Sequence, residues 1–362
     1  MTPKPSTSSP LQHQLPPSLT GRCRGGGFSG WFFFLLLLLF PSCIKEETHP
    51  DTPQGNLDAL WTTIDRHYCF LTYKQQTLGL DWNAIHARYS QRLSDKMNSN
   101  QLFEVLAEMI AELQDGHVNL YAAHDIGRNW SWYEDHPSNF SQQLQDAYLG
   151  TDYKIAAALK YRILPDNIAY LVCNSFQTGL GDGNISEALH YLRTCSGLIL
   201  DLRDNSGGEL TNAQRLAQHF TNERRLVGYI SHKTGPAHDD FSQPEPEYID
   251  PAQGVRWQKN TVILTNRRCY SATNTFIRDL KGAPRITILG DQTGGGSGLP
   301  FSSELPNGWS VRFSACPMFD QDMHQIEFGI QPDTLVSLAQ EDLSKGIDTL
   351  IETARSILHH AQ

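Results

Sequence analysis

Apolar residues in the stretch 56–120 recur at steps of three and four positions, the spacing that places them on one face of a helix. Two such sets are Leu57, Leu60, Trp61 and Ile64, and Leu102, Phe103, Leu106, Met109, Ile110 and Leu113. Residues 118–121 then read as a short strand. We therefore predict a small helical N-terminal domain over residues 57–125.

Short apolar runs alternate with helical patterns in the second half of the chain. The runs are residues 168–172, 197–202, 261–265 and 285–289, and the helical patterns are residues 186–193, 211–220 and 272–280. Brief continuous apolar runs are typical of strands in a sheet covered on both faces. This order predicts an α/β fold, followed by a hairpin at 305–313 that turns at Asn307-Gly308 and a final helix at 344–358.

The N-terminus has the pattern of an export signal. Arginines at 22 and 24 precede an apolar run at 31–40, and Pro41, Ser42 and Cys43 follow it. The run is short for a membrane-spanning helix and suits a signal-peptide core. The motif FPSC resembles a bacterial lipoprotein signal, which makes Cys43 the expected lipid attachment site. A cleaved secretory signal and an uncleaved anchor are the alternatives, and all three export the protein.

These patterns divide the chain into five parts. Residues 1–43 form the signal, 44–56 an acidic, proline-bearing tether, 57–125 the helical domain, 126–166 an aromatic-rich connecting or cap segment, and 167–362 the α/β domain. The expected location is the bacterial cell envelope, on a membrane through the N-terminal lipid.

Composition narrows the possible partners and cofactors. The chain has 362 residues, with 29 basic and 39 acidic residues and a formal net charge of −10, so no nucleic-acid partner is expected. Five cysteines follow Cys43, an odd number at irregular spacings, which indicates neither a disulfide framework nor a zinc site. We expect no metal and no cofactor.

Ser271 follows the apolar run at 261–265 and directly precedes the helical pattern at 272–280. A hydroxyl there lies near unpaired helix N–H groups and the positive end of the helix dipole, which favour the negative charge of a tetrahedral oxyanion. Ser271 is therefore a candidate nucleophile, and a plain helix N-cap is the alternative.

The glycine pair at 207–208 and His117 likewise allow both a functional and a purely structural interpretation. Gly207 and Gly208 follow the run at 197–202, where glycines let the backbone N–H groups turn toward a ligand, although a simple turn is an equal alternative. His117 follows Gly116, which can end the preceding helix and project the histidine beyond it. A polar loop histidine is the alternative for His117.

Five motifs in order resemble the tail-specific, or C-terminal processing, serine peptidases and the related core of tricorn protease. They are LQDGHVNL, GLILDLRDNSGGEL, TNRRCYSATNTF, GDQTGGGSG and IEFGIQPD, and the resemblance covers roughly residues 57–358. It implies a ClpP/crotonase-like α/β catalytic domain behind a helical lead-in, acting on peptide or protein substrates.

The resemblance also assigns the general base. Ser-Lys members of the family have a lysine in a T-x-G-K-G segment, but here Gly294, Gly295 and Gly296 follow Thr293. Lys281 is about 15 Å along the helix from Ser271, too far to serve. The tricorn-like branch implies a Ser-His-Glu triad, which falls on Ser271, His117 and Glu327, an arrangement suited to activating a hydroxyl.

The resemblance places the oxyanion hole at the N–H of Ala272 with that of Gly207 or Gly208. Tricorn-like sites also have a serine before the histidine, and this chain has Gly116 there. The rival base is His324, and the rivals of Glu327 are Glu304 and Asp322, with an ordinary salt bridge as the alternative role of Glu327. Cys269 is expected to pack inside, and the glycines at 294–296 are expected to form a substrate-edge loop, since no Lys-Ser or Lys-Thr pair follows for phosphate binding.

These features predict a cell-envelope serine endopeptidase. A binding protein for peptide or hydrophobic ligand on the same fold is the alternative, and hydrolysis of a non-peptide ester or amide by the same triad is a third hypothesis. The interval from Tyr121 to Ile168 is too short for a PDZ module. The aromatic segment within it is a candidate peptide groove.

Overall fold

The structure is a computed structural model that describes residues 48–128, 130, 134 and 136–360. Its N-terminal part contains α1 (Pro53–His67), α2 (Leu71–Leu78), α3 (Trp82–Ser90), α4 (Ser99–Ala111), β1 (Asn119–Tyr121), β2 (Ile126–Arg128) and α5 (Gln142–Leu149). The central part contains β3 (Lys154–Ala156), β4 (Leu159–Ile163), β5 (Ala169–Cys173), α6 (Asp182–Leu192), β6 (Leu198–Asp201), α7 (Leu210–Gln218), β7 (Arg225–Ile230), β8 (Glu245–Ile249), β9 (Thr261–Thr265) and α8 (Ala272–Leu280). The last part contains β10 (Ile286–Gly290), β11 (Leu299–Glu304), β12 (Ser310–Cys316), β13 (Met318–Phe319), β14 (Thr334–Leu335), α9 (Gln340–Ser344) and α10 (Thr349–His360).

The central sheet has the strand order β14-β10-β9-β6-β5-β4-β3. Neighbours from β5 to β14 run parallel, and β4 and β3 add antiparallel strands at one edge. Helices α6, α7 and α8 cover one face through residues such as Leu189, Leu216 and Phe276. Helix α10 covers the other face through Leu350 and Ile351. The predicted α/β architecture is confirmed.

The four apolar runs predicted as strands became β5, β6, β9 and β10, at the centre of this sheet. Every residue of β5, β6 and β9 is buried, as expected for strands covered on both faces. The carboxyl ends of β6 and β9 therefore lie side by side, and the loop after β6 meets the turn before α8 there. This is the edge of an α/β sheet where sites form.

The N-terminal helices pack on a second sheet with the order β11-β12-β1-β2. Their apolar residues, including Leu60 and Leu106, share one core with Val311 and Phe313 of β12. The described residues from Thr48 onward form one compact unit, and the bounds expected for the helical domain, 57–125, stay a prediction. The predicted hairpin is present as β11 and β12, with Gly308 at a φ of 81° in its turn.

A third sheet has the order β13-β7-β8. Helix α1 begins at Pro53, with the Thr52 side chain capping it, so the tether predicted to reach residue 56 ends earlier. The signal sequence and Cys43 lie outside the described residues. Within the described ranges, no helix has the length and apolar character needed to cross a membrane.

Candidate active site

Ser271 occupies the turn between β9 and α8 in an unusual backbone conformation. Its φ of 57° and ψ of −121° lie in a region that residues other than glycine rarely adopt. Its hydroxyl makes no capping bond to α8, although it stands at the N-cap position. Instead, Oγ lies 2.9 Å from Nε2 of His117. The N-cap alternative for this serine is therefore wrong.

His117 reaches Ser271 from a loop 154 positions earlier in the chain. Helix α4 ends at Ala111, and Gln114, at a φ of 47°, takes the left-handed conformation that the sequence assigned to Gly116. The Asp115 carboxylate accepts the backbone N–H of His117 at 2.7 Å. The imidazole packs on the Tyr270 ring at 5.1 Å between centroids. The loop and the aromatic ring together orient the imidazole.

The environment of His117 favours its neutral form. Burial lowers the pKa of the imidazole to about 4; Asp115 opposes this shift, while the positive charges of Arg312 and Lys74 add to it. A neutral imidazole has a free lone pair to accept a proton. With Nε2 facing the hydroxyl of Ser271, His117 has the geometry and the protonation state of a general base at neutral pH.

Of the two candidate glycines, Gly208 and not Gly207 can contribute its N–H group to an oxyanion hole. Gly207 donates its N–H to the Asn205 side chain at 3.0 Å, so this donor is occupied and the expectation for it is wrong. Among the described residues, no acceptor bonds to the N–H of Gly208 or of Ala272. Gly208 is exposed, and Gly207 adjoins Ser271 so closely that an added Cβ would lie 2.9 Å from the N of Ala272. The available donors are therefore Gly208 and Ala272.

Glu327 is buried near His117 but does not bond to it. One carboxylate oxygen lies 3.2 Å from Nζ of Lys74, and the other accepts the backbone N–H of Ser297 at 3.0 Å. Nδ1 of His117 bonds to no atom of the described residues. The direct carboxylate–imidazole contact implied by the resemblance is thus absent, and Glu327 faces a lysine instead.

Lys74 is a residue of this cluster that the sequence did not single out. Its side chain is 0% exposed, and its ammonium group donates to the carbonyls of Leu113 and Gln114 at 2.7 and 3.0 Å. It therefore joins α2 to the loop that carries His117 and to the Glu327 segment. A usable signal existed, because Lys74 falls at helical spacing with Leu71 and Leu78, where an apolar residue would be expected.

Asp115 completes the buried cluster. The Tyr68 and Ser314 hydroxyls donate to one of its oxygens at 2.9 and 3.1 Å. Lys74, His117 and these hydrogen bonds lower the pKa of Asp115 in spite of its burial. Burial, followed by the charge of Asp115, raises the pKa of Glu327 well above its usual value. Asp115 is therefore the firmly ionised carboxylate beside Lys74, and Glu327 takes up a proton first as the pH falls.

The buried glycines at 294–296 pack against the turn between β9 and α8 that carries Ser271. All three are buried, so the substrate-edge loop expected there is wrong. Gly294 donates to the carbonyl of Cys269 at 2.8 Å, and Gly295 accepts the N–H of Ser271 at 2.9 Å. A Cβ on Gly296 would lie 2.1 Å from the Tyr270 ring. Side chains larger than hydrogen do not fit behind the turn.

The rival residues take other partners. His324 is exposed and bonds to Asp320, and Lys281 bonds to Asp333, away from the serine. Glu304 and Asp322 are exposed. The thiol of Cys269 is buried and donates to the carbonyl of Leu202 at 3.1 Å, in line with a packing role.

Within the described ranges, one group of side chains could hold a metal ion by the spacing of its ligand atoms. Its members are Asp320, Asp322 and His324, with atoms within 4.8 Å of one another. Asp322 and His324 are exposed, and exposed acidic groups commonly hold no ion.

Comparison with known proteins identifies the family of the chain. The model of peptidase family S41 matches residues 167–336, and that of the tricorn protease C1 domain matches residues 49–111. A carboxyl-terminal-processing protease of Synechocystis is 27% identical over 155 residues, which are 42% of this chain and 34% of that protein. The match thus spans about a third of that relative's length.

Solved structures extend the likeness to a larger share of the chain. A candidate peptidase from Parabacteroides merdae is 48% identical, with a TM-score of 0.80, over 85% of this chain and 96% of that one. Mature CPAF in complex with lactacystin has the same fold, with a TM-score of 0.65 and 12% identity over 85% of this chain and 97% of that one. By these matches, the chain belongs to peptidase family S41, the family of the C-terminal processing serine peptidases.

Proposed function

We propose that this protein is a cell-envelope serine endopeptidase in which Ser271 is the nucleophile and His117 the general base. The observation that carries the proposal is the distance of 2.9 Å between Oγ of Ser271 and Nε2 of His117. Nucleophile and base within hydrogen-bond reach are the minimum that acyl transfer through serine needs. The family membership, which concerns serine peptidases, favours a peptide bond as the substrate.

The reaction follows from these positions. Nε2 of His117 takes the hydroxyl proton while Oγ of Ser271 attacks the scissile carbonyl carbon. The resulting oxyanion accepts hydrogen bonds from the N–H groups of Ala272 and Gly208, each of which is worth about 3–4 kcal/mol of barrier in comparable sites. The C–N bond then breaks as the imidazolium returns the proton to the leaving amine. Water, deprotonated by the same imidazole, hydrolyses the acyl-enzyme and releases Ser271.

Glu327 has a supporting role in this proposal. Since it bonds to Lys74 and Ser297, it acts on the base through the cluster that holds the His117 loop and not by a bond to the imidazole. Asp115 supplies the ionised carboxylate nearest to the loop, through the backbone N–H of His117. The site then works as a Ser-His pair fixed by buried charges.

An active-site fluorophosphonate tests the nucleophile. We expect labelling of the wild-type protein and none of Ser271→Ala, while Ser356→Ala, at an exposed position of α10, is labelled like the wild type. Far-UV circular dichroism establishes that each variant is folded. A folded wild-type protein that resists the reagent while binding peptides would favour the alternative, a binding protein on this fold. Hydrolysis of ester but not peptide substrates would favour the third hypothesis.

The envelope location rests on the N-terminal sequence and is part of the same proposal. A basic pair, an apolar run and Cys43 in this order favour lipid attachment at that cysteine. In a bacterial host supplied with an alkyne fatty acid, we expect label on the wild type and on Cys23→Ala but not on Cys43→Ala. Equal labelling of the two cysteine variants would contradict the assignment, and a released unlabelled protein would indicate an ordinary secretory signal.

A further inference from the structure

One row of side chains crosses the sheet that carries the His117 loop. The register pairs Ser302 of β11 with Arg312 of β12, Arg312 with Asn119 of β1, and Asn119 with Arg128 of β2. Paired residues on neighbouring strands project from the same face of a sheet, with strands about 4.8 Å apart. The two arginines therefore flank Asn119 on one face.

This face is opposite the one covered by the helices. The neighbouring residues Val311 and Leu120 belong to the core of the N-terminal helices, and an added Cβ on Gly127 would meet Ala107 of α4. Because side chains alternate along a strand, Arg312, Asn119 and Arg128 point away from those helices. Asn119 donates to the carbonyl of Gly116 at 3.1 Å, directly before His117. The row thus borders the general base.

Both arginines are linked to the reacting groups by contacts. The charge of Arg312 acts on the His117 imidazole and lowers its pKa. The Arg128 guanidinium stands 5.8 Å from the centre of the Trp130 ring, and Trp130 packs on Tyr270 at 6.5 Å. Tyr270 in turn contacts His117 and precedes Ser271. The two arginines are therefore connected to Ser271 and His117 through the sheet of β1, β2 and β12 and through the rings of Trp130 and Tyr270.

A pocket of about 520 Å³ adjoins the row and opens beside the serine turn. Its lining consists of Arg128, Trp130, Glu134, Asp204, Ser206 and Arg268. Asp204 is engaged: it lies 3.5 Å from Arg268 and accepts the Asn266 amide at 2.6 Å. Glu134 is exposed. The pocket is therefore polar on one wall and aromatic on another.

The charges of the row are not neutralised locally. No carboxylate of the described residues forms an ion pair with Arg128 or Arg312. The chain as a whole has a formal charge of −10, so two unpaired arginines beside the dyad are a local exception. Guanidinium groups bind carboxylates through paired, charge-assisted hydrogen bonds.

We propose that Arg312 and Arg128 form a carboxylate-binding subsite next to the Ser271–His117 pair, and that the substrates are peptides with a carboxylate close to the scissile bond. This inference rests on the proposed peptidase function. The carboxylate is that of an aspartate or glutamate side chain, and a free C-terminus is the other source that the test separates from it. Arg312 and Arg128 are then specificity-determining residues that attract and orient the peptide.

Binding to the full-length Ser271→Ala protein tests the subsite without cleavage. The probe is a short fluorescein-labelled Ala/Leu peptide in four forms, with glutamate or glutamine in the middle and a free or an amidated C-terminus. We expect the amidated glutamate form to bind about tenfold more tightly than the amidated glutamine form, as for hydrogen bonds to charged groups. The preference should weaken as salt is raised. A preference that only the free-acid glutamine form shows would come from the C-terminus and would overturn the proposal.

Variants of the arginines complete the test. Arg312→Gln and Arg128→Gln in the same background should remove most of the preference. Arg224→Gln should leave it unchanged, since Arg224 is likewise exposed and stacked, 4.4 Å from the Tyr248 ring, but directly precedes β7 of another sheet. Equal binding of the four peptides, no binding of any, or equal effects of all three substitutions would overturn the subsite.

Fluorophosphonate labelling of the wild type separates the two proposals. Labelling without a carboxylate preference rejects the subsite and leaves the peptidase. A carboxylate preference without labelling rejects the peptidase and supports the carboxylate-binding subsite in a binding protein. Thermal melts of the arginine variants, measured by circular dichroism, confirm that a lost preference is not lost folding.

Discussion

The sequence motif indicates His117 as a candidate site residue, but it does not predict the protonation state of the imidazole. The motif around it marked the residue, but its low pKa arises from burial by segments far along the chain, and from Arg312 and Lys74. The motif around Glu327 likewise marks that residue, but it does not indicate Lys74 as its partner. A lysine in an otherwise apolar helix position has no local signature that names its distant carboxylate.

The pH dependence of catalysis should report this pKa. We expect kcat/KM for a peptide to fall on the acid side with a midpoint near the pKa of about 4. The folded chain binds fewer protons at His117 than the unfolded chain between pH 6.5 and about 4, so stability also falls as the pH is lowered through this window. An acid midpoint at the ordinary histidine value of 6.5 would contradict the buried, neutral base.

The Lys74–Glu327 pair should behave as a unit. Lys74→Met leaves Glu327 and Asp115 without their buried cation and should lower the free energy of unfolding by about 3–5 kcal/mol. Adding Glu327→Gln should recover part of this loss, so the double variant is more stable than the sum of the single effects. Urea denaturation measures each value.

A matched control for this cycle lies on the surface. Lys345 pairs with Glu341 one helical turn away, and both side chains are more than half exposed. Lys345→Met should have no measurable effect on unfolding, because exposed pairs add little. If the double variant at Lys74 and Glu327 loses as much as the two single variants combined, the two side chains are independent and the cluster does not act as one unit.

The turn between β9 and α8 is the element on which the site depends most. Its two flanking elements could be predicted with their bounds, because continuous apolar and helical spacings are local signals. The conformation of the turn itself could not be predicted. The positive φ of Ser271 is supported by the buried glycines at 294–296, which pack against it from beyond the next strand. No pattern within either segment indicates that contact.

Substituting one glycine should test this support. Gly296→Ala places a Cβ against the Tyr270 ring, so the ring, Ser271 and the His117 contact must shift. We expect a fall in kcat/KM of about a hundredfold, the scale of a misplacement of about 1 Å in an active site. Gly282→Ala is the control: its φ of 70° is close to the 75° of Gly296, and nothing lies within 4 Å of its added Cβ. Equal effects on activity would mean that backbone strain alone, and not the ring contact, accounts for the loss.

On the scale of the whole molecule, the pairing between early and late strands of the described chain is the feature that the sequence does not predict. The α/β order was readable from alternating patterns, and so was the hairpin that became β11 and β12. That β12 pairs with β1, in the helical lead-in, was not readable, because strand pairing over such a separation depends on complementary faces and not on local sequence. The N-terminal helices and β12 share one core within a single compact unit.

Unfolding should therefore occur in one step. We expect urea transitions followed by far-UV circular dichroism and by tryptophan fluorescence to coincide, since Trp61 and Trp82 lie in the lead-in and Trp257 in the catalytic region. Loss of fluorophosphonate labelling should follow the same curve. A lead-in transition at lower urea, with the catalytic region still folded, would show two separable units.

The pairing of β1 with β12 has a consequence for the synthesis of the protein. His117 sits two residues before β1, Ser271 comes 154 positions later, and β12, at 310–316, comes later still. A growing chain therefore does not bring Ser271 and His117 together on this sheet until synthesis has passed residue 316 and the two strands have met. We expect the proposed peptidase to stay inactive during its own synthesis, because the pair is assembled only when β12 meets β1.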